Sequence, residues 1–348
     1  MKPLKNIVRK IETQFDRTKL KTKERFGLFN TVFIYPYRGY GNYQTAWLHG
    51  RVLEKEGIIH GDTQLRDSTW QNIKKIWKRY ESDEIPYTTV EGEFMGVKTD
   101  VKCDGEGYFN LKFEGLDKQH LRNGWHPVNL RIKEIPYKNI ELEEETTGEI
   151  LINDQSSGLG IISDVDDTII KSNITNPITK MWTMLRYNAN TRVAFDGVSE
   201  SYNKLIDNYK NPLFFISGSS FNLYDMLVSF CKHKNIPKAP FLLRDLGIDV
   251  NQWIKQPTIA YKKEYINSLL SALPKLSFIC IGDSGQKDPE IYADMHRDHP
   301  GRIKAIYIRD VHTPKRREEV KKKARELDIP LLLINDSNKI VEHLKQNA

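Results

Sequence analysis

IISDVDDTIIKS, residues 161–172, decides how the rest of the chain is read. Two apolar residues, Ile161 and Ile162, lead into Asp164; Asp166 follows two positions on and Thr168 two after that. On an extended strand that ends here, Asp164 and Asp166 point the same way, because strand side chains repeat with a period of two. Two neighbouring carboxylates divide chemical labour: one attacks or holds a cation while the other passes a proton. A DxD on any charged loop would look similar. This one stands straight behind an apolar strand.

The same layout recurs downstream. Leu213–Ile216 runs into Ser217-Gly218-Ser219-Ser220, and Leu276–Ile281 runs into GDSGQKDPEIY, which carries Asp283 and Asp288. Lys262 stands at the head of a helical pattern over Tyr261–Leu273. Further apolar strands, Ile303–Ile308 and Pro330–Ile334, end in Arg309-Asp310 and Asn335-Asp336. Short apolar strands alternating with helical patterns predict an α/β fold with a doubly wound parallel sheet. Ligands in such sheets bind at the carboxyl ends of the strands. Asp164, Ser217 and Asp283 all fall there, and one shared site is the economical reading.

The order DVDDT, strand–Ser, Lys, GDSGxxD resembles the four motifs of the haloacid dehalogenase superfamily of aspartate-nucleophile phosphatases. SDVDDTI, IGDSGQKDPEIY and GRIKAIYIRDV resemble a narrower group, the actin-patch type of Mg-dependent phosphatidate phosphatase, over roughly 160–312. PYRGYGN, residues 36–42, resembles that group's N-terminal domain. Two positions depart from it. Tyr261-Lys262 stands where the group has His-Lys, and Gly218 stands where an Asn often follows the Ser. The resemblance implies Asp164 as nucleophile and Asp166 as general acid and base, with Ser217 and Lys262 at the phosphoryl group. It also implies Mg²⁺ held by Asp164, Asp166 through its carbonyl, Asp283 and Asp288. Thr168, Gly218 and Ser219 are the expected substrate contacts.

At 348 residues the chain has room for two domains. Its composition, 39% hydrophobic and 28% charged, is that of a soluble globular protein. With no apolar run of about 18 residues and no visible signal peptide, a cytoplasmic location is expected. Cys103, Cys231 and Cys280 are scattered, suiting a reducing compartment and offering no metal spacing. The nine histidines are equally dispersed, which argues against zinc.

Residues 1–25 hold nine Lys or Arg against three acids. Leu4, Ile7, Val8, Ile11 and Phe15 fall at helical spacing beside them. A basic amphipathic helix over 1–26 either packs on its own protein or lies on an anionic membrane surface. No nucleic-acid-binding fold accompanies the charge, so no nucleic acid partner is expected. Residues 27–145 read as a smaller, mostly antiparallel β-sandwich, with an amphipathic helix at Trp70–Tyr80. PYRGYGN reads there as a structural turn or a ligand loop. The acidic stretch Glu141–Glu145 with Thr146-Thr147-Gly148 reads as the linker to a phosphatase-like domain over 150–348.

Only 52 residues lie between Asp164 and Ser217, and 44 between Ser217 and Lys262, so no large cap domain fits. Superfamily members without such caps have open sites. Met181, Trp182, Met184, Leu185 and Tyr187 form an apolar segment close to the site, read as core packing or as a substrate or bilayer contact. The leading functional reading is hydrolysis of phosphatidate to diacylglycerol at a membrane surface. A second keeps the chemistry but takes a soluble phosphomonoester, a phosphoprotein or a nucleic acid end. A third is a non-catalytic phospho-acceptor or phosphate-sensing module. Receiver domains gather similar residues, but their acceptor Asp lies on the third strand, whereas here the DxDxT opens the sheet.

Overall fold

A computed structural model describes residues 20, 22–55, 84–170, 194–244 and 258–347. The predicted helix at Trp70–Tyr80, the apolar segment Met181–Tyr187 and most of the basic segment lie outside the described residues.

The second half of the chain forms a six-stranded sheet. Its strands are β9 (Leu159–Ser163), β10 (Leu213–Ser220), β11 (Phe241–Arg244), β12 (Ser277–Asp283), β13 (Ile303–Arg309) and β14 (Leu331–Ile334). They lie in the order β11-β10-β9-β12-β13-β14, and every pair is parallel. β9 comes first in the chain yet lies between β10 and β12, so strand order reverses at it.

Alternation along each strand sends side chains to two cores. Ile161, Phe215, Ile279, Ile281 and Tyr307 pack against helices α1 (Val198–Ile206), α2 (Tyr224–His233) and α6 (Asn338–Gln346). Ile162, Phe214, Ile216, Phe278 and Ile306 pack against α3 (Thr258–Ala272), α4 (Asp288–Asp298) and α5 (Pro314–Arg325). A strand covered on both faces reads as an unbroken apolar run, which is why these strands stood out in the sequence.

The first half is a separate, mostly antiparallel sheet. It comprises β1 (Val32–Pro36), β2 (Gly39–Gly41), β3 (Thr45–Glu54), β4 (Thr89–Phe94), β5 (Val97–Lys102), β6 (Tyr108–Glu114), β7 (Gly124–Glu134) and β8 (Thr146–Ile152). All eight strands belong to one hydrogen-bonded sheet, with β6 on β3 and a single parallel pair between β2 and β8. The sheet curls until Leu111 and Phe113 of β6 lie over Gly92 of β4, enclosing a core of Val52, Val90, Leu111 and Phe113.

One expectation needs correcting. Thr146-Thr147-Gly148 is not linker but the start of β8, which pairs with β7 and carries this sheet to Ile152. The near-alternation of Thr146–Ile152 was hidden behind the acidic run before it. Of the basic segment, residues 20 and 22–26 are helical and docked on this domain. Leu20 enters its core, Lys23 pairs with buried Glu54 at 2.8 Å, and Glu24 accepts the Lys138 N–H.

PYRGYGN joins the two halves. Tyr37 packs on Phe221 and Tyr224, with ring centroids 4.2 and 4.9 Å away. The Arg38 N–H donates to Tyr224 Oη at 2.9 Å, and Asn42 Nδ2 donates to the Ala272 carbonyl at 2.7 Å. Gly39 is required because a Cβ there would meet the Trp47 carbonyl at 2.3 Å. Gly39–Gly41 of the motif form β2, and the residues flanking that strand carry the contacts to the second half. Asn153, just after β8, adds bonds to the carbonyls of Tyr209 and Lys210.

Candidate active site

The site forms where the carboxyl ends of β9, β10 and β12 meet one turn of α3. β9 stops at Ser163, so Asp164 and Asp166 lie in the loop beyond it and not on the strand. They converge because the loop turns back on itself. Asp167 adopts φ 59°, a conformation that Asp tolerates, and Ile169 N donates to Val165 O at 2.9 Å. Lys262 sits in the second turn of α3, which begins at Thr258 rather than at Tyr261.

Asp164 is fully buried. Its Oδ1 accepts from Lys262 Nζ at 2.8 Å, and its Oδ2 accepts from Thr168 Oγ1 at 3.1 Å and from Gln286 Nε2 at 3.5 Å. Lys262 also reaches Asp288 Oδ1 at 2.6 Å, with all three side chains out of solvent. Burial alone pushes the Lys262 ammonium down, but Asp164 and Asp288 override it and hold it well above the usual lysine value. Burial pushes Asp164 up to about 7, against the pull of Lys262.

Asp166 is held separately. Its Oδ2 accepts from Ser217 Oγ and from Ser219 Oγ, both at 3.1 Å, and Ser219 N donates to Ser217 Oγ at 3.0 Å. The Asp166 carbonyl accepts from Gln286 Nε2 at 3.1 Å. The two carboxylates of the DxD thus sit in different surroundings, one against an ammonium and one against hydroxyls. Gly218 lies between the two serines in β10. Thr168 touches Asp164, so the contact it makes here is to a carboxylate.

Asp283 ends β12. Its Oδ1 accepts from Gly285 N at 2.7 Å and Gln286 N at 2.9 Å, while its Oδ2 is buried with no hydrogen-bond partner among the described residues. Burial, with Asp288 and Asp164 adding to it, pushes this carboxyl up to about 8. Gly282 makes the arrangement possible, because a Cβ there would stand 2.6 Å from Asp288 Cβ. Asp164, Asp283 and Asp288 each offer an oxygen within 4.8 Å of the others. Such a set, anionic beyond what Lys262 offsets and with one orphaned oxygen, fits a hard divalent cation. Asp288 has both oxygens engaged, Oδ1 with Lys262 and Oδ2 with Asp283 N at 3.2 Å.

Sequence reading missed three residues here. Arg316 donates to the Ser284 and Gln286 carbonyls at 2.9 and 3.0 Å and forks onto Glu290 at 2.7 and 2.8 Å. Arg309, buried, donates to the Thr168 carbonyl at 2.9 Å and the Asn335 carbonyl at 3.0 Å, its guanidinium 4.2 Å over the Phe195 ring. Gln286 bridges the two loops. Arg309 had a signal, a charge closing an apolar strand; Arg316 lay hidden in a charge-rich helix. Tyr261 is buried between Arg244, 5.4 Å from its ring, and Tyr265, and its hydroxyl has no hydrogen-bond partner among the described residues.

Residues 159–310 match the family described as "Phosphatidate phosphatase APP1, catalytic domain". Phosphatidate phosphatase APP1 of Saccharomyces cerevisiae is 31% identical over 153 residues, covering 44% of this chain and 26% of that protein. An uncharacterized protein of Schizosaccharomyces pombe is 31% identical over 156 residues, with the same two coverages, 44% and 26%. The chain therefore spans about a quarter of the length of these relatives. Among solved structures, the Pnkp1/Rnl/Hen1 RNA repair complex aligns at 15% identity over 52% of this chain and 44% of that chain, with a TM-score of 0.27. A carbohydrate acetylesterase from Xanthomonas citri aligns at 11% over 85% and 66%, with a TM-score of 0.31. At these scores neither carries an argument.

Proposed function

We propose, on the match of residues 159–310 to the APP1-type phosphatidate phosphatase catalytic domain, that this chain is a Mg²⁺-dependent phosphatase with Asp164 as its nucleophile. The observation that carries this reading is the separate housing of the two DxD carboxylates. Asp164 faces Lys262 at 2.8 Å, whereas Asp166 hangs from Ser217 and Ser219. A nucleophile and an acid–base group need such different surroundings. The strand order and the two-faced helix cover support a haloacid dehalogenase-like catalytic domain. The curled sheet supports a smaller β domain ahead of it.

In the first step an Asp164 oxygen bonds to phosphorus as the bond from phosphorus to the leaving oxygen breaks, and Asp166 gives that oxygen its proton. In the second step water attacks the aspartyl-phosphate, Asp166 takes the proton, and phosphate leaves with Asp164 restored. Lys262 offsets charge on Asp164 and on the phosphoryl group, and the Ser217 hydroxyl, which donates to Asp166 Oδ2 at 3.1 Å, would turn from it to a phosphoryl oxygen when substrate binds. Asp164, the Asp166 carbonyl and Asp283 would hold Mg²⁺, with Asp288 fixing Lys262 behind them. When bound, the ion neutralises phosphoryl charge and lets the anionic nucleophile approach.

The substrate class we propose is a lipid phosphate, phosphatidate above all, converted to diacylglycerol at a membrane surface. Its support is the relative named for that activity and the short spans between the motifs. Among the described residues no helix is long and apolar enough to cross a membrane; the contact with lipid that we propose is peripheral, with residues 1–25 a candidate for it. A phosphate-release screen with Mg²⁺ over phosphatidate micelles, lysophosphatidate, nucleotides, sugar phosphates and phosphopeptides tests this. Phosphatidate should be hydrolysed fastest, and EDTA should abolish release. Preference for a soluble ester would move the substrate class, and full activity in chelator would remove the metal.

A further inference from the structure

Gln286 is half-buried and sits between the two loops that would share the cation. Its side-chain nitrogen lies 3.1 Å from the Asp166 carbonyl and 3.5 Å from Asp164 Oδ2. The Asp166 carbonyl can only accept, so the NH₂ end of the amide must face it. Asp164 Oδ2 accepts from Thr168 as well, at 3.1 Å. Both of its lone-pair directions are therefore in use. A cation taking this oxygen must displace one donor, and the longer bond, to Gln286, is the one that yields.

We propose that Gln286 is a latch on the cation site: its amide satisfies the same oxygens that the cation takes, and cation binding releases it. The proposal rests on the metal reading above. A weakly polarised N–H and a divalent ion compete for the same acceptors. The latch therefore lowers cation affinity while keeping the two loops together when the ion is absent. The backbone of Gln286 stays fixed during the exchange, because Arg316 holds its carbonyl at 3.0 Å and its N–H is bonded to Asp283 Oδ1 at 2.9 Å. Only the side chain need swing.

Titration with Mn²⁺ alone, with free ion followed by electron spin resonance, tests the latch without turnover. Gln286→Ala removes the competitor and should bind Mn²⁺ about two- to tenfold more tightly than the parent, the range set by one hydrogen bond. Its melting temperature without metal should fall, and the rise on adding Mn²⁺ should be larger. Arg316→Gln loosens the loop that presents Asp283 and should move affinity the other way. Weaker or unchanged binding by Gln286→Ala, with the parent binding normally, overturns the latch and leaves the metal reading standing. Both variants shifting in the same direction also overturns it. No Mn²⁺ bound by the parent overturns the metal reading and the latch together.

Discussion

Lys262 Nζ lies nearer to Asp288 than to Asp164, at 2.6 against 2.8 Å, and none of these side chains reaches solvent. Removing the ammonium leaves two carboxylates buried together without their cation. Lys262→Met should cost about 3–5 kcal/mol, the usual result of breaking a buried ion pair from one side, and should abolish turnover. Adding Asp288→Asn should restore part of the stability and none of the activity. Urea unfolding and phosphate release read the two effects separately.

Asp166→Asn distinguishes the proton-transfer role from binding. The change is nearly isosteric and keeps an acceptor for Ser217 and Ser219. Turnover should fall steeply on an alkyl phosphate, whose leaving oxygen needs a proton, and much less on nitrophenyl phosphate. Asp164→Asn should remove both. Equal losses on the two substrates for Asp166→Asn would argue that Asp166 is not the acid.

The contact between the halves predicts a thermodynamic change. Asn42→Ala removes the bond to the Ala272 carbonyl and those its Oδ1 accepts from Gln44 N and Thr45 N, at 2.7 and 3.0 Å. About 1–3 kcal/mol should be lost. Combined with Tyr37→Ala, it should split one calorimetric transition into two, as the sheets unfold separately. A single sharp transition in the double variant would mean that other contacts suffice to couple them.

His49 gives a pH dependence. It stacks between Tyr37 and Tyr108, 5.4 Å from each, and bonds Asn110 through Nδ1 at 2.7 Å. Burial lowers its pKa below the usual 6.5 despite the bond to Asn110. The unfolded chain therefore takes the proton first. The stability His49 contributes is present above pH 6.5 and is lost as pH falls through the folded value. Thermal melts from pH 7.5 to 5 should show this slope, and His49→Gln should flatten it.

The alternating strands and the motif residues were legible because chemistry and burial leave local marks. Ile161–Ile162 and Cys280–Ile281 are apolar on both faces, and Asp164, Asp166, Ser217, Lys262, Asp283 and Asp288 close on one another as their places in the chain imply. β11 was missed because Phe241–Arg244 is four residues long and follows a proline. β8 was missed because its polar start continues the acidic run before it, and one of its two partners, β2, is far away in sequence. Arg316 and Gln286 act through backbone carbonyls and a shared carboxylate, and no spacing rule reports such partners.

The position of β9 also bears on how the protein acquires its site in time. Ile161 must pair with Ile279, on the far side of α1, α2 and α3 in the chain, before Asp164 and Asp283 can approach each other. The first sheet is complete at Ile152 and can form while the remainder is still being synthesised. The two loops of the active site, by contrast, come together only when β12 slots in beside β9. Non-local pairings of this kind close slowly. A nascent chain interrupted before β12 would hold a finished β domain, a partial parallel sheet with an exposed edge, and only part of the candidate site.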